Sequence, residues 1–264
     1  MRVMWEELPT PVRSAVERRL GGRVTIAEAI EDGLTAAFIA RLHTVGGGEV
    51  FVKGVPITDG DGHAAQLREV AAGALAPAVA PKTLWHFETC GWHVLASTVV
   101  TGRYPSLAPG SPDLPLMADA LTIGRCRIPA GALPCYAQRW ERWGSRKKLV
   151  PLRGGWLVHG DVHRHNALVD SAGRRVWLVD WAAAARGPAW LDIADTGIRL
   201  MEEGHDAATA VRWARTVPAW RTATAEALSA WCEVRCRSWT ARIGARDSEP
   251  SNARLRAFLA ATVA

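Results

Sequence analysis

The apolar positions of this chain change their period along its length. Between about Leu8 and Leu20 they fall at Val12, Ala15, Val16 and Leu20, one face of a helix, with Thr10 as N-cap, Pro11 in the first turn and Gly21-Gly22 as the stop. Strand-like runs follow at Val24 to Ile30, Thr35 to Leu42 and Glu49 to Val52, separated by Glu31-Asp32-Gly33 and Val45-Gly46-Gly47-Gly48, which suit hairpin turns. A Gly- and Asp-rich loop, Thr58 to Gly62, leads into a helix predicted over His63 to Leu75. That loop lacks the Glu a calcium loop carries at its twelfth position, so it reads as a cap and turn. Strands at Thr83 to Phe87 and Trp92 to Thr98 complete a small antiparallel sheet, and Thr101 to Pro105 breaks the pattern. Beyond the break helical periodicity dominates: Leu114 to Ile123, Tyr136 to Trp143, Leu191 to Glu203, Ala207 to Thr216, Trp220 to Arg242 and Ala253 to Ala261, with Gly197 and Gly204 as interruptions or stops. A sheet-rich segment, 1–100, and a mostly helical one, 101–264, are the expected division.

One stretch departs from core-building logic. Trp156 to Trp181, WLVHGDVHRHNALVDSAGRRVWLVDW, reads as strand, polar loop, strand, turn and strand. His159, Asp161, His163, Arg164, His165 and Asn166 crowd into the loop, where polar side chains serve a site better than a core. Asp161 is followed five residues on by Asn166 and nineteen on by Asp180. Phosphoryl transfer needs such a set: one carboxylate to orient an attacking hydroxyl, and an amide oxygen with a second carboxylate to hold magnesium. Upstream, Lys53 closes the predicted strand V-F-V-K, either as a solvated edge residue or as a phosphate ligand; Glu69 lies mid-helix sixteen residues later. A strand lysine and a helix glutamate at that separation also form the ion pair that orients a kinase lysine.

Composition narrows the setting. A chain of 264 residues with 48% hydrophobic and 22% charged positions is globular. No run approaches the ~20 apolar residues of a membrane span, and the N-terminus does not read as a signal peptide, so a soluble cytoplasmic protein is expected. The five cysteines are odd in number and contain no C-x-x-C, which points to buried free thiols. The net charge of +6 comes largely from scattered Arg; without a basic stripe interleaved with aromatics, neither a nucleic-acid nor a membrane partner is expected. The thirteen Trp, such as Trp140 and Trp143, read as core or groove lining. Nothing indicates an oligomeric state.

With these residues assembled, the sequence resembles the aminoglycoside phosphotransferase and choline kinase group, small-molecule kinases related in fold to the protein kinases. HGDVHRHN matches that group's H-G-D-x-H-x-x-N pattern at every fixed position, VWLVDW its strand ending in a magnesium aspartate, and Trp190-Leu191-Asp192-Ile193-Ala194 its D-[LI]-A helix start, with Asp192 structural. The resemblance runs through about Gly204. It implies an α+β, bilobal kinase-like fold, a small antiparallel-sheet lobe with one main helix above a larger helical lobe. It implies ATP or GTP with Mg2+ as cofactors and a small-molecule hydroxyl acceptor. Asp161 is then the catalytic carboxylate, Asn166 and Asp180 the magnesium ligands, and Lys53, held by Glu69, the contact to the alpha- and beta-phosphates. Glu31-Asp32-Gly33-Leu34 carries one glycine and departs from the G-x-G-x-x-G of protein kinases; Asp32 and Gly33 are the nucleotide-binding residues the resemblance implies there. His159 and His163 are expected to build the loop.

The acceptor is less defined. Asp192, Asp195, Glu202, Glu203 and Asp206, with Arg199 among them, form either a receptor for an amine-bearing molecule such as an aminoglycoside or a solvated helix face. The competing classes are a nucleotide-binding pseudokinase scaffold, which would be expected to have lost one of Lys53, Asp161, Asn166 or Asp180, and a metal hydrolase built on His159, His163, Asp161 and Asp180.

Overall fold

The structure is a computed structural model and describes residues 2–30, 36–76 and 78–263. Helix α1 (Thr10–Leu20) precedes strands β1 (Val24–Ala29), β2 (Phe38–Thr44) and β3 (Glu49–Pro56), helix α2 (Gly60–Leu75), and strands β4 (Thr83–Thr89) and β5 (Trp92–Ser97). The five strands form an antiparallel sheet in the order β1-β2-β3-β5-β4. Successive side chains of a strand face opposite ways, so the central β3 serves two layers. Val50 and Val52 join Phe38, Leu42, Val94 and Ala96 in an apolar cluster that α1 closes with Val12 and Val16. Lys53 points to the other face, toward α2, paired across the sheet with Ile39 and Leu95. Thr10 is the first helical residue of α1, not its N-cap; Pro9 takes that position without a side-chain bond, and Gly21 ends the helix in the left-handed conformation at φ 70. The predicted third strand is longer than the apolar run suggested: Gly54, Val55 and Pro56 extend it, so Lys53 is internal. Asp32 and Gly33, where the sequence predicts a hairpin turn, lie outside the described residues.

Asp59 caps α2 by accepting the Gly62 N–H at 3.0 Å, which starts the helix three residues before the predicted His63. This helix has two allegiances. Its middle carries Gln66, buried and bonded through Oε1 to His93 Nδ1 of β5 at 2.8 Å, and its end carries Ala72 into the large apolar cluster of the second half of the chain, with Ala76, Val79 and Ala80 behind it.

After β6 (Gly102–Arg103) come α3 (Asp113–Ile123), α4 (Arg146–Leu149), β7 (Trp156–Val158), β8 (Ala167–Asp170), β9 (Val176–Leu178) and β10 (Ala185–Gly187), then α5 (Leu191–Glu202), α6 (Ala207–Thr216), α7 (Ala225–Ile243) and α8 (Ala245–Val263). Two small sheets, β6-β8-β9 and β10-β7, present the polar loop between β7 and β8. Tyr136 to Trp143 is not an α-helix: Tyr136–Trp140 winds as a 3-10 turn after Pro134, with Gln138 Oε1 accepting the Cys135 N–H at 3.0 Å. The run predicted from Trp220 divides, because Thr224 caps a new helix at Ala227 N, 3.2 Å away. The last helix begins at Ala245 and contains Pro250, a polar first turn that hid its start. Gly197 neither stops nor interrupts α5; a Cβ there would lie 2.5 Å from the Phe258 ring, which is fully buried against Trp220 and Trp231. Of the cysteines only Cys232 is buried; Cys90 is exposed at the β4–β5 turn, and the others are partly covered. No described helix is long and apolar enough to cross a membrane.

Two outcomes follow. Gly197→Ala forces a rigid ring to move and should lower stability by about 1–3 kcal/mol in denaturant unfolding, with no change if α5 and α8 were loosely packed. His93 is held neutral, its pKa lowered to about 4 by burial and by the neighbouring His63 and His86. A histidine whose folded value lies below its unfolded one withholds stability as pH falls from about 6.5 to about 4; allowing for screening on the exposed His86 side, the loss is roughly 1–2 kcal/mol. His93→Gln should flatten the pH dependence of Tm across that window.

Candidate active site

Lys53, Glu69 and Asp180 meet in one buried knot. The Lys53 ammonium lies 2.8 Å from both Glu69 oxygens and 2.9 Å from Asp180 Oδ1. A lysine at 6% exposure inside a sheet requires such partners. Burial works against its charge, yet the two carboxylates outweigh it and hold the ammonium above its ordinary pKa. Burial likewise pushes Glu69 up, opposed by Lys53, whereas Asp180 stays below the usual range because Lys53 overcomes its burial. Asp180 follows β9 by two residues and adopts the left-handed backbone at φ 61, ψ 65, a strained state for a side chain with a Cβ. Neighbouring bonds hold it there: Val179 N–H donates to Asn166 O at 2.9 Å and the Trp181 indole to Leu178 O at 2.9 Å.

Asp161 and Asn166 form the other half. The Asn166 amide donates to the Asp161 carbonyl at 3.0 Å and to its Oδ2 at 3.4 Å, which turns Asn166 Oδ1 away from both. Burial would raise the Asp161 carboxylate, but His163, 3.6 Å away, keeps it below its ordinary value. The histidines build the loop as expected. His159 is buried, bonds Val179 O at 2.9 Å through Nε2 and packs on Trp181 at 4.6 Å, and His163 Nδ1 accepts the His165 N–H at 3.2 Å. Asp192 is structural, its oxygens receiving the His159 and Gly160 N–H groups at 2.7 and 2.8 Å. Burial pushes that carboxyl up to about 7 despite those two donors. Gly160 is required, since at φ 76 a Cβ would meet Ala183 O at 2.6 Å.

Two arginines escaped the sequence reading. Arg139 donates to the carbonyls of Ala183 and Ala184, and Arg68 to Ala182 O at 2.9 Å, so both clamp the turn that follows Asp180. Arg139 sat in a predicted helix with no polar pattern to mark it; Arg68, beside Glu69, had only its position as a signal.

The five acids of the supposed acceptor face separate. Asp195 is buried with Arg235 at 2.7 Å, Asp206 caps α6 through Thr209 N at 2.6 Å, and Asp192 holds the loop. Only Glu202 and Glu203 reach a cavity of about 360 Å3 beside Asp161, lined also by Leu107, His163, Arg164, His165 and Arg199. Both are already paired, Glu202 with Arg199 at 2.9 Å and Arg254 at 3.1 Å, and Glu203 with Arg164 at 3.5 Å. Among the described residues no group of three or more His, Cys, Asp and Glu is placed to hold a metal ion.

Residues 105–231 match the model of the phosphotransferase enzyme family, APH. The match spans the polar loop, Asp180 and α5, a little under half of the chain, and agrees with the resemblance read from the sequence. Solved structures extend the likeness of fold over nearly the whole chain. An aminoglycoside phosphotransferase from Alicyclobacillus acidocaldarius is 15% identical, with 90% of this chain and 91% of that one covered and a TM-score of 0.54. The macrolide 2′-phosphotransferase of Brachybacterium faecium, as apoenzyme, gives 16%, 94%, 98% and 0.52 in the same terms. The GDP and kanamycin complex of APH(2″)-IIIa gives 13%, 96%, 98% and 0.58. A search of curated proteins returns no sequence match.

The Asp192 anchor is testable away from the reacting groups. Asp192→Asn replaces one of two acceptors by a donor facing an N–H, and should cost about 1–3 kcal/mol in urea unfolding. Unchanged stability would remove Asp192 from the loop's support.

Proposed function

We propose that the chain transfers the gamma-phosphate of ATP or GTP to a hydroxyl of a small molecule, an aminoglycoside-like antibiotic or a related metabolite. The observation that carries this reading is the convergence of Lys53, Glu69 and Asp180 beside Asp161 and Asn166, residues from distant parts of the sequence brought to one cleft. In this reading residues 1–100 hold the nucleotide and residues 101–264 carry the catalytic loop and the acceptor. Asp32 and Gly33 are the further residues assigned to nucleotide binding in this reading.

Lys53, oriented by Glu69, neutralises the alpha- and beta-phosphates. Asp161 accepts a hydrogen bond from the acceptor hydroxyl and aims its oxygen at the gamma-phosphorus. A new phosphorus–oxygen bond forms as the bond to the beta-phosphate oxygen breaks, and the hydroxyl proton leaves by way of Asp161. A carboxylate held at low pKa is a weak base, so its main work is positioning. The donor set fits magnesium: Asn166 Oδ1 and the second Asp180 oxygen are hard oxygen donors, and this ion takes few protein ligands because water and phosphate oxygens complete its shell. Bound there, it would supply charge that stabilises the transferring phosphoryl group.

The cavity at Asp161 bears on the acceptor. Because Glu202 and Glu203 are matched by Arg199, Arg254 and Arg164, the rim has little free negative charge to receive a polycation. His165, which lines the cavity, and Tyr104, its ring 4.9 Å away and tilted by 54°, offer aromatic surface nearby. An acceptor of low charge with a ring to stack is favoured over a highly cationic one.

Phosphate transfer from ATP or GTP with Mg2+ to a panel of hydroxyl compounds graded by charge tests the reading. Asp161→Asn should lower kcat by about 10^2–10^4 while the nucleotide Kd stays within a few-fold; Lys53→Ala should weaken nucleotide binding as well. Normal turnover by the Asp161 variant, or hydrolysis dependent on Zn2+ in place of transfer, would overturn it.

A further inference from the structure

A second, larger cavity of about 670 Å3 opens between the outer face of α2, the 130–135 loop and β10. It shares no residue with the Lys53, Glu69 and Asp180 knot or with the cavity at Asp161. Its floor is apolar, formed by Leu67, Ala71 and Leu133, and Leu67 is 43% exposed there. Two cations border that floor, Arg68 and Arg186, and no aspartate or glutamate lines the cavity. Each arginine commits its Nε to a backbone carbonyl, Arg68 to Ala182 at 2.9 Å and Arg186 to Ile128 at 3.3 Å. Neither guanidinium has a salt bridge among the described residues. Burial holds Arg68 below its ordinary pKa, and the charge of Asp61, in the first turn of α2, does not offset that.

A guanidinium anchored through Nε keeps its terminal N–H groups for another acceptor, and their planar fork suits an oxyanion. Two such forks beside an aliphatic floor form the usual plan of a ligand pocket, mostly apolar with a few placed polar groups. We propose that this cavity binds a small organic anion, an apolar body carrying one oxyanion group, with Arg68 and Arg186 on the anion and Leu67, Ala71 and Leu133 under the body.

The site is wired to the cleft. Arg68 adjoins Glu69 in α2, and its bond to Ala182 O grips the turn two residues past Asp180. Occupancy therefore alters the affinity of the cleft for nucleotide. This coupling rests on the function proposed above; the binding itself does not.

The aromatic sulfonate 8-anilinonaphthalene-1-sulfonate is a suitable probe, titrated by fluorescence into the full chain with and without MgATP. Saturable one-site binding that survives MgATP is expected. Arg186→Gln should weaken it at least tenfold and Arg186→Lys less, with phosphate transfer at the wild-type level in both and an equal, small fall in Tm from the lost bond to Ile128. Probe binding that MgATP abolishes, or that keeps its affinity in both Arg186→Gln and Arg68→Gln, overturns the site. If the site binds the probe as expected but the apparent Kd for MgATP is the same with and without it, the coupling alone falls. A chain that binds the probe at Arg186 yet binds no nucleotide contradicts the proposed function and leaves the site standing.

Discussion

A lysine ammonium with two carboxylates, taken largely out of water, is the constraint around which this molecule is arranged. Removing such charges from water costs several kcal/mol per ion unless geometry and hydrogen bonds return it. Lys53 meets that demand with three contacts of 2.8 to 2.9 Å. Its partners arrive on different elements, Glu69 on α2 and Asp180 beyond β9, so the sheet, the helix and the strained turn must all be in place for any one to be stable. Removing a single partner would strand a charge in a half-dry cleft.

The loop from His159 to Asn166 owes its shape to groups that lie outside the cavity at Asp161. Asp192 fixes its start through two N–H groups, His159 ties it to the end of β9, and Arg139 holds the facing turn. The geometry proposed for Asp161 is in this sense delegated: a second ring of buried polar contacts sets the position of the loop, and the carboxylate, with Asn166 and His163 beside it, faces the cavity.

Much of this was legible in the chain. Helix α6 shows as periodicity because one of its faces is buried, β2, β3 and β5 show as apolar runs because most of their residues are buried, and the HGDVHRHN loop shows because polar residues stand where a core would not want them. The pairing of Lys53 with Glu69 was legible only as spacing, since each residue alone suits an exposed surface. What failed to show has a physical reason in each case. Tyr136–Trp140 has helical spacing but is wound tightly by a local side-chain cap. Gly197 looks like a breaker until Phe258, sixty-one residues on, is placed against it. The acids around α5 share a stretch of sequence but not a surface, because Asp192 and Asp195 turn inward to partners that periodicity cannot reveal.

Helix α2 carries a consequence for how the molecule comes apart. The sheet has its own apolar cluster with α1, and the helical half has another, which would ordinarily allow two separate melting events. Ala72, however, belongs to the second cluster, and Val79, just past the helix, accepts the Leu178 N–H at 2.7 Å, while Gln66 and Glu69 bind the sheet side. One helix thus joins the larger apolar cluster through Ala72 and the sheet through the polar side chains of Gln66 and Glu69, so loss of packing around it is felt on both sides. A single cooperative unfolding transition is the expected result, with α2 the segment that ties the sheet to the helices.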